Sequence, residues 1–144
     1  MKKVIITLLA IVLLTGCGKK DVVIKNITCE ANNDTLGNLV TLELEFHDDE
    51  LYFMKQIQTY EYESEAKAIE AATNLDANSY LINDSFKNIK AYTEVEGSNV
   101  LAITEHQVHK FTQEEMDAVL LTDKDSKTLV ANFTKKGYKC EENK

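Results

Sequence analysis

No arginine, proline or tryptophan occurs in this 144-residue chain, and glycine and cysteine are scarce, at five and three. Without arginine there is no bidentate reader for phosphate, and the 16 basic side chains, all lysine, face 24 acidic ones for a net charge of −8. That field repels phosphate backbones, which excludes nucleic acid as a partner class and disfavours anionic wall polymers. Cationic partners and metal ions are tolerated, although net charge alone selects none of them. Catalytic signatures are also missing: the chain holds no glycine-rich phosphate loop, Gly-x-Ser-x-Gly elbow, His-Glu-x-x-His helix or Asp-x-Asp-x-Asp-Gly loop. Enzyme machinery therefore has no support in the sequence, and no cofactor is expected.

Long apolar runs are absent with one exception, Val4 to Leu14, which follows Lys2 and Lys3 and is broken only by Thr7. At ~1.5 Å per residue a helix of this length reaches only about half of the ~30 Å hydrocarbon core, so the run reads as a leader and not as a membrane span. Its end, Leu14-Thr15-Gly16-Cys17, resembles the lipobox of bacterial lipoproteins, where an apolar residue and two small ones precede the cysteine that receives lipid. The resemblance implies a diacylglyceryl thioether on Cys17, cleavage before it, and a mature chain that starts there. Two or three acyl chains, at roughly 0.8 kcal/mol per buried CH₂, hold a small domain on a bilayer, and Lys19 and Lys20 would lie against anionic headgroups. An ordinary secretion signal with a nearby cysteine is the competing reading. The expected layout is a signal peptide over 1–16, a lipidated tether over 17–21 and a single domain over 22–144, anchored on the extracytoplasmic face of the cell membrane. Loss of Lys2 and Lys3 takes the mature net charge to about −10.

With Cys17 committed to lipid, Cys29 and Cys140 remain. Outside the cytoplasm an even pair reads first as a disulfide, one that would join the first and last ordered segments and contribute on the order of 4 to 5 kcal/mol by loop-closure entropy. Redox catalysis is the sharper alternative, but no Cys-x-x-Cys exists.

Period-two alternation of Val40, Leu42, Leu44 and Phe46 with Thr41, Glu43 and Glu45 predicts a strand with one wet face. Branched residues in Val22–Glu30 and aromatic and β-branched ones in Leu51–Tyr62 predict strands on either side, joined through the turn-forming Asn32–Asn38 and His47–Glu50. Ser64 is placed to cap a long or broken helix reaching Lys87, with Ala66, Ile69, Ala72 and Thr73 at helical spacing. Strands over Ile89–Val95 and Val100–His109 flank the Glu-Gly-Ser-Asn turn, and Thr112 with Glu115 forms a capping box for a short helix carrying Met116, Val119 and Leu120. Asp123 or Asp125 caps a last helix bearing Leu129, Val130 and Phe133, Gly137 stops it, and Tyr138–Glu141 returns Cys140 towards Cys29. The fold class expected is α+β, an antiparallel sheet (meander) with helices packed on one face.

These features, with "FKNIKAYTEVEG" at Phe86–Gly97 and "LVANFTKKGYKCEE" at Leu129–Glu142, resemble the YehR-type small bacterial lipoproteins, a family of unknown function. The resemblance implies the same α+β domain and carries no catalytic motif.

Three groups of side chains are candidates for chemistry. His106 and His109, three apart, suit a metal on a helix, but in the strand expected here they point to opposite faces. His47 with Asp48, Asp49 and Glu50 would attract a cation, although acidic turns are usually just solvated. Tyr60 and Tyr62, joined by Tyr52, would form a face with apolar bodies and polar tips suited to a peptide, glycan or protein; packing under a helix is the plainer explanation. Four Asn-x-Ser/Thr triplets, at Asn26, Asn33, Asn83 and Asn132, carry no expected glycan in a bacterial lipoprotein. The sequence thus points to a binding or accessory module of the cell envelope whose partners are the lipid bilayer and an envelope protein or small ligand. A small hydrolase or metal-dependent enzyme is the alternative.

Overall fold

The computed structural model describes residues 21–33 and 38–143. In chain order the elements are β1 (Ile24–Asn33), β2 (Asn38–His47), β3 (Glu50–Glu61), α1 (Glu65–Ser85), β4 (Ile89–Glu96), β5 (Asn99–His106), a 3-10 turn (Val108–Lys110), α2 (Gln113–Ala118), α3 (Ser126–Lys135) and β6 (Lys139–Glu142). The strands form one open antiparallel sheet in the order β4-β5-β3-β2-β1-β6, so the molecule is a mixed α/β domain.

The expected meander is present over β1, β2 and β3, and then the order departs from it because β5, not β4, lies beside β3. The cause is α1. At ~1.5 Å per residue its 21 residues cover roughly 30 Å, enough to carry the chain back along the sheet to the end where β3 began. β4 therefore runs in the same direction as β3, and the hairpin partner β5 fills the slot between them, antiparallel to both. The helix also closes the sheet edge it reaches. The Asn83 amide donates to the Ala91 carbonyl at 2.8 Å and accepts from the Ala91 N–H at 2.7 Å, the two bonds a further strand would make.

Local signals account for most boundaries. Ser64 accepts from the Lys67 N–H, Thr112 and Glu115 form the full capping box, and Asp125 accepts from both the N–H and the hydroxyl of Thr128. Asp48 and Asp49 make the two-residue turn between β2 and β3 at φ 51° and 68°; Asp tolerates this left-handed region better than most residues. β5 stops at His106, earlier than the expected His109, because the chain turns into the 3-10 segment there.

Two apolar clusters hold the helices. Leu42, Leu44 and Phe46 of β2 are buried with Ile27, Cys29, Leu51, Met54, Val108, Leu121 and Leu129. Ala68 and Ala72 of α1 are buried on Val100, flanked by Tyr60, Tyr62, Ala71 and Leu75. The buried stripe of α1 is thus shifted from the expected one: Ala66, Ile69 and Thr73 are exposed, and alanines make the contact because their small side chains let the helix lie close to the strands.

Candidate functional site

The sheet has two unlike ends. The far end carries the close of β1, the start of β2 and the Gly97-Ser98 turn, where Gly97 adopts φ 61°. The near end gathers the start of β1, the Asp48-Asp49 turn, the close of β5, the 3-10 turn and the α2–α3 connection. Backbone bonds lock these pieces together: Asp48 N–H donates to Val23 O at 2.9 Å, Leu51 N–H to Lys124 O at 2.8 Å, and Ser126 N–H to Asp49 O at 2.9 Å. The Asp48 carboxylate accepts from the Val23 N–H, and the Asp49 carboxylate from the Ser126 hydroxyl at 2.9 Å. Asp48 and Asp49 thus serve as hydrogen-bond acceptors that fasten this end.

Beside that turn lies a ring stack. A bulge between Glu45 and Phe46 leaves Tyr52 without a strand partner and re-aims its side chain. The Tyr52 ring lies between His47 and His109, with centroids 3.8 Å apart on each side and interplanar angles of 9° and 2°. His47 Nε2 is 2.6 Å from a Glu45 carboxylate oxygen, and His109 Nδ1 is 3.1 Å from the Tyr52 carbonyl oxygen. Sequence reading missed this stack because it depends on the bulge and on the 3-10 turn that swings His109 away from the strand line.

His106 has a different fate. It points into the core at 6% exposure, edge-on to Phe111 at 6.1 Å, and neither ring nitrogen has a hydrogen-bond partner. Burial without a partner disfavours the charged imidazolium and lowers its pKa from the usual 6.5 to about 4. His106 and His109 are therefore not brought together. Among the described residues no three His, Cys, Asp or Glu side chains are arranged to hold a metal ion.

The tyrosines separate as well. Tyr60 and Tyr62 share the α1 cluster, half-buried against it, whereas Tyr52 is at the other end of β3 in the ring stack. Cys29 and Cys140 face each other across β1 and β6 and are joined by a disulfide, with Cα atoms 3.9 Å apart across a sequence separation of 111.

One buried carboxylate ties α2 to the start of β4. Burial of Glu115 raises its pKa, but bonds from the Asn88 side-chain amide, the backbone N–H groups of Thr112 and Asn88, and the Thr112 hydroxyl outweigh that and hold it at about 2. Glu115 is thereby both the capping-box partner of α2 and a staple to the α1–β4 connection.

Cys17 lies outside the described residues, as does the rest of the expected leader. Residues 1–17 match the prokaryotic membrane lipoprotein lipid attachment site. The match ends on Cys17, so the N-terminus is that of a lipid-anchored membrane lipoprotein. No curated protein and no solved structure matches the chain. Among the described residues no helix is long and apolar enough to cross a membrane. The described chain begins at Asp21–Ile24, directly beside the Asp48-Asp49 turn and the near end of the sheet.

Proposed function

We propose that this protein is displayed on the extracytoplasmic face of the cell membrane, held by acyl chains on Cys17, and acts as a binding or accessory module of the envelope. The attachment-site match over residues 1–17 carries the reading. The Cys29–Cys140 disulfide supports the compartment, because such bonds persist where the surroundings are oxidising. Its partners would be the bilayer and an envelope protein or small ligand, and kinship with the YehR-type lipoproteins belongs to the same proposal.

Binding is favoured over catalysis by what the domain offers. By register, Glu43, Lys55, Glu105 and Lys90 form a charged row along one side of the sheet, and the residues of both apolar clusters fall on the other. In this reading the helices cover one face and the charged row borders an open one.

The test is fractionation of the full-length protein expressed in a bacterium that processes lipoproteins. The native chain should stay with membranes through high-salt and alkaline washes, and Cys17→Ser should release it or leave an uncleaved leader. Equal retention of both forms, with the leader removed from both, would overturn the lipid-anchor reading.

A further inference from the structure

Exposed large apolar side chains occur on α1 (Ile69, Tyr80 and Leu81), at Val95 of β4, and in a further set at the start of β1 and after α2. Val22, Val23 and Ile24 are 52%, 67% and 58% exposed at the very start of the domain. Leu120, at 85%, lies in the α2–α3 connection that borders the same end of the sheet. Leu120 is unusual in a second way. Its N–H bonds to Asp117 O and the next N–H, of Leu121, reaches Met116 O, so it occupies the left-handed position after α2 at φ 53°. Glycine is the residue that suits such a position. Neither burial nor backbone conformation calls for leucine there.

The tether says what faces this end. From Cys17 to Asp21 there are four residue steps, which at ~3.6 Å each reach at most about 14 Å. A lipid-bearing sulfur at the interface therefore keeps the start of β1 within a headgroup layer's distance of the bilayer. β1 runs away from that point for ten residues, so at ~3.3 Å per residue its far end lies roughly 30 Å from the tether's root. The near end is thus held beside the membrane whatever the domain's tilt, and an end-on seating lifts the far end clear.

We propose that the near end of the sheet seats on the membrane surface, with Val22, Val23, Ile24 and Leu120 entering the headgroup layer. The proposal rests on lipidation of Cys17. Charge at this end favours neither kind of surface. Asp21, Asp48, Asp49, Glu50 and Asp125 are exposed there, against the partly exposed Lys25 and Lys124 and an exposed Lys127, and Lys19 and Lys20 of the tether offset the rest. Apolar insertion is therefore the driving contact, and the seating holds on a zwitterionic surface without help from anionic lipid. Seated this way, the domain holds the sheet end-on to the bilayer and presents the Gly97-Ser98 turn outward.

The absence of native tryptophan makes the test direct. Val23→Trp, Leu120→Trp and, as the far-side control, Ile69→Trp in the second turn of α1 each give a single reporter. The lipidated full-length mature proteins are placed in phosphatidylcholine vesicles carrying bromine on the upper acyl chain, with flotation recorded in the same samples. Circular dichroism confirms the fold of each variant. Indole emission from the Val23→Trp and Leu120→Trp proteins should shift to the blue and be quenched, with or without added phosphatidylglycerol, and the α1 reporter should remain as in buffer. Floating protein with no quenching at positions 23 and 120, or with equal quenching at position 69, overturns the seating while leaving the anchor intact. Protein that fails to float removes the anchor and the seating together.

Discussion

Replacing His106 by leucine should make the domain more resistant to mild acid without altering its fold. The imidazole is paired across the sheet with Met54 and Ile89, and both nitrogens lack partners, so the neutral ring is tolerated and the cation is not. Its folded pKa of about 4 lies below the unfolded 6.5. Above pH 6.5 neither state binds the proton and the ring carries no pH-dependent term. As pH falls from 6.5 to 4 the unfolded chain takes up a proton that the native one refuses, and stability drops; below 4 both are protonated and the loss stops growing. At ~1.4 kcal/mol per tenfold change in proton concentration, the window amounts to roughly 3 kcal/mol. Domains of this size are stable by about 5 to 15 kcal/mol, so the effect is large. Urea unfolding at pH 7.5, 6, 5 and 4 measures it. The native protein should lose stability steadily over that series, and His106→Leu should lose much less while matching or exceeding the parent at pH 7.5. Parallel curves for the two proteins between pH 6.5 and 4 would refute the assignment of an unpartnered neutral ring.

Glu115→Gln should cost about 2 kcal/mol at neutral pH, since an amide cannot accept from all the donors that converge on the carboxylate. It should also abolish a second acid step: the native carboxylate stabilises the fold above pH 4.5 and loses that contribution as pH falls to about 2, which the same unfolding series, extended downward, would show. Replacing both Cys29 and Cys140 by serine, or reducing the bond, should lower stability by about 4 kcal/mol because the loop it closes is nearly the whole domain, a loss read from the denaturation midpoint. Leu120→Gly should raise stability by about 1 kcal/mol by relieving the left-handed backbone; thermal melting checks it, and unchanged or lower stability would mean that leucine packs there after all.

Much of the fold was legible because its signals are local. The alternation in Val40–Phe46, the Thr112–Glu115 box and the caps at Ser64 and Asp125 each act within a few residues, and the structure contains all of them. The pairing of Cys29 with Cys140 followed from counting. Strand order was not legible, since nothing in Ile89–Glu96 says that its neighbour will be β5 alone; the length and path of α1 decide it. The stripe of α1 was legible only in part: Ala72 carries the contact as expected, but Ala68 joins it while Ile69 stays outside, reversing the usual weight of large over small. The ring stack of His47, Tyr52 and His109 joins two segments 57 residues apart through an irregular pairing, beyond what spacing can show. The orphaned state of His106 likewise depends on where β5 ends.

Intact mass of the protein extracted from native membranes, recorded without reductant, tests the central claim most directly. The account predicts a chain beginning at Cys17, heavier by a diacylglyceryl group and lighter by the two hydrogens lost when Cys29 and Cys140 join. A mass that includes residues 1–16 and leaves Cys17 unmodified would contradict it.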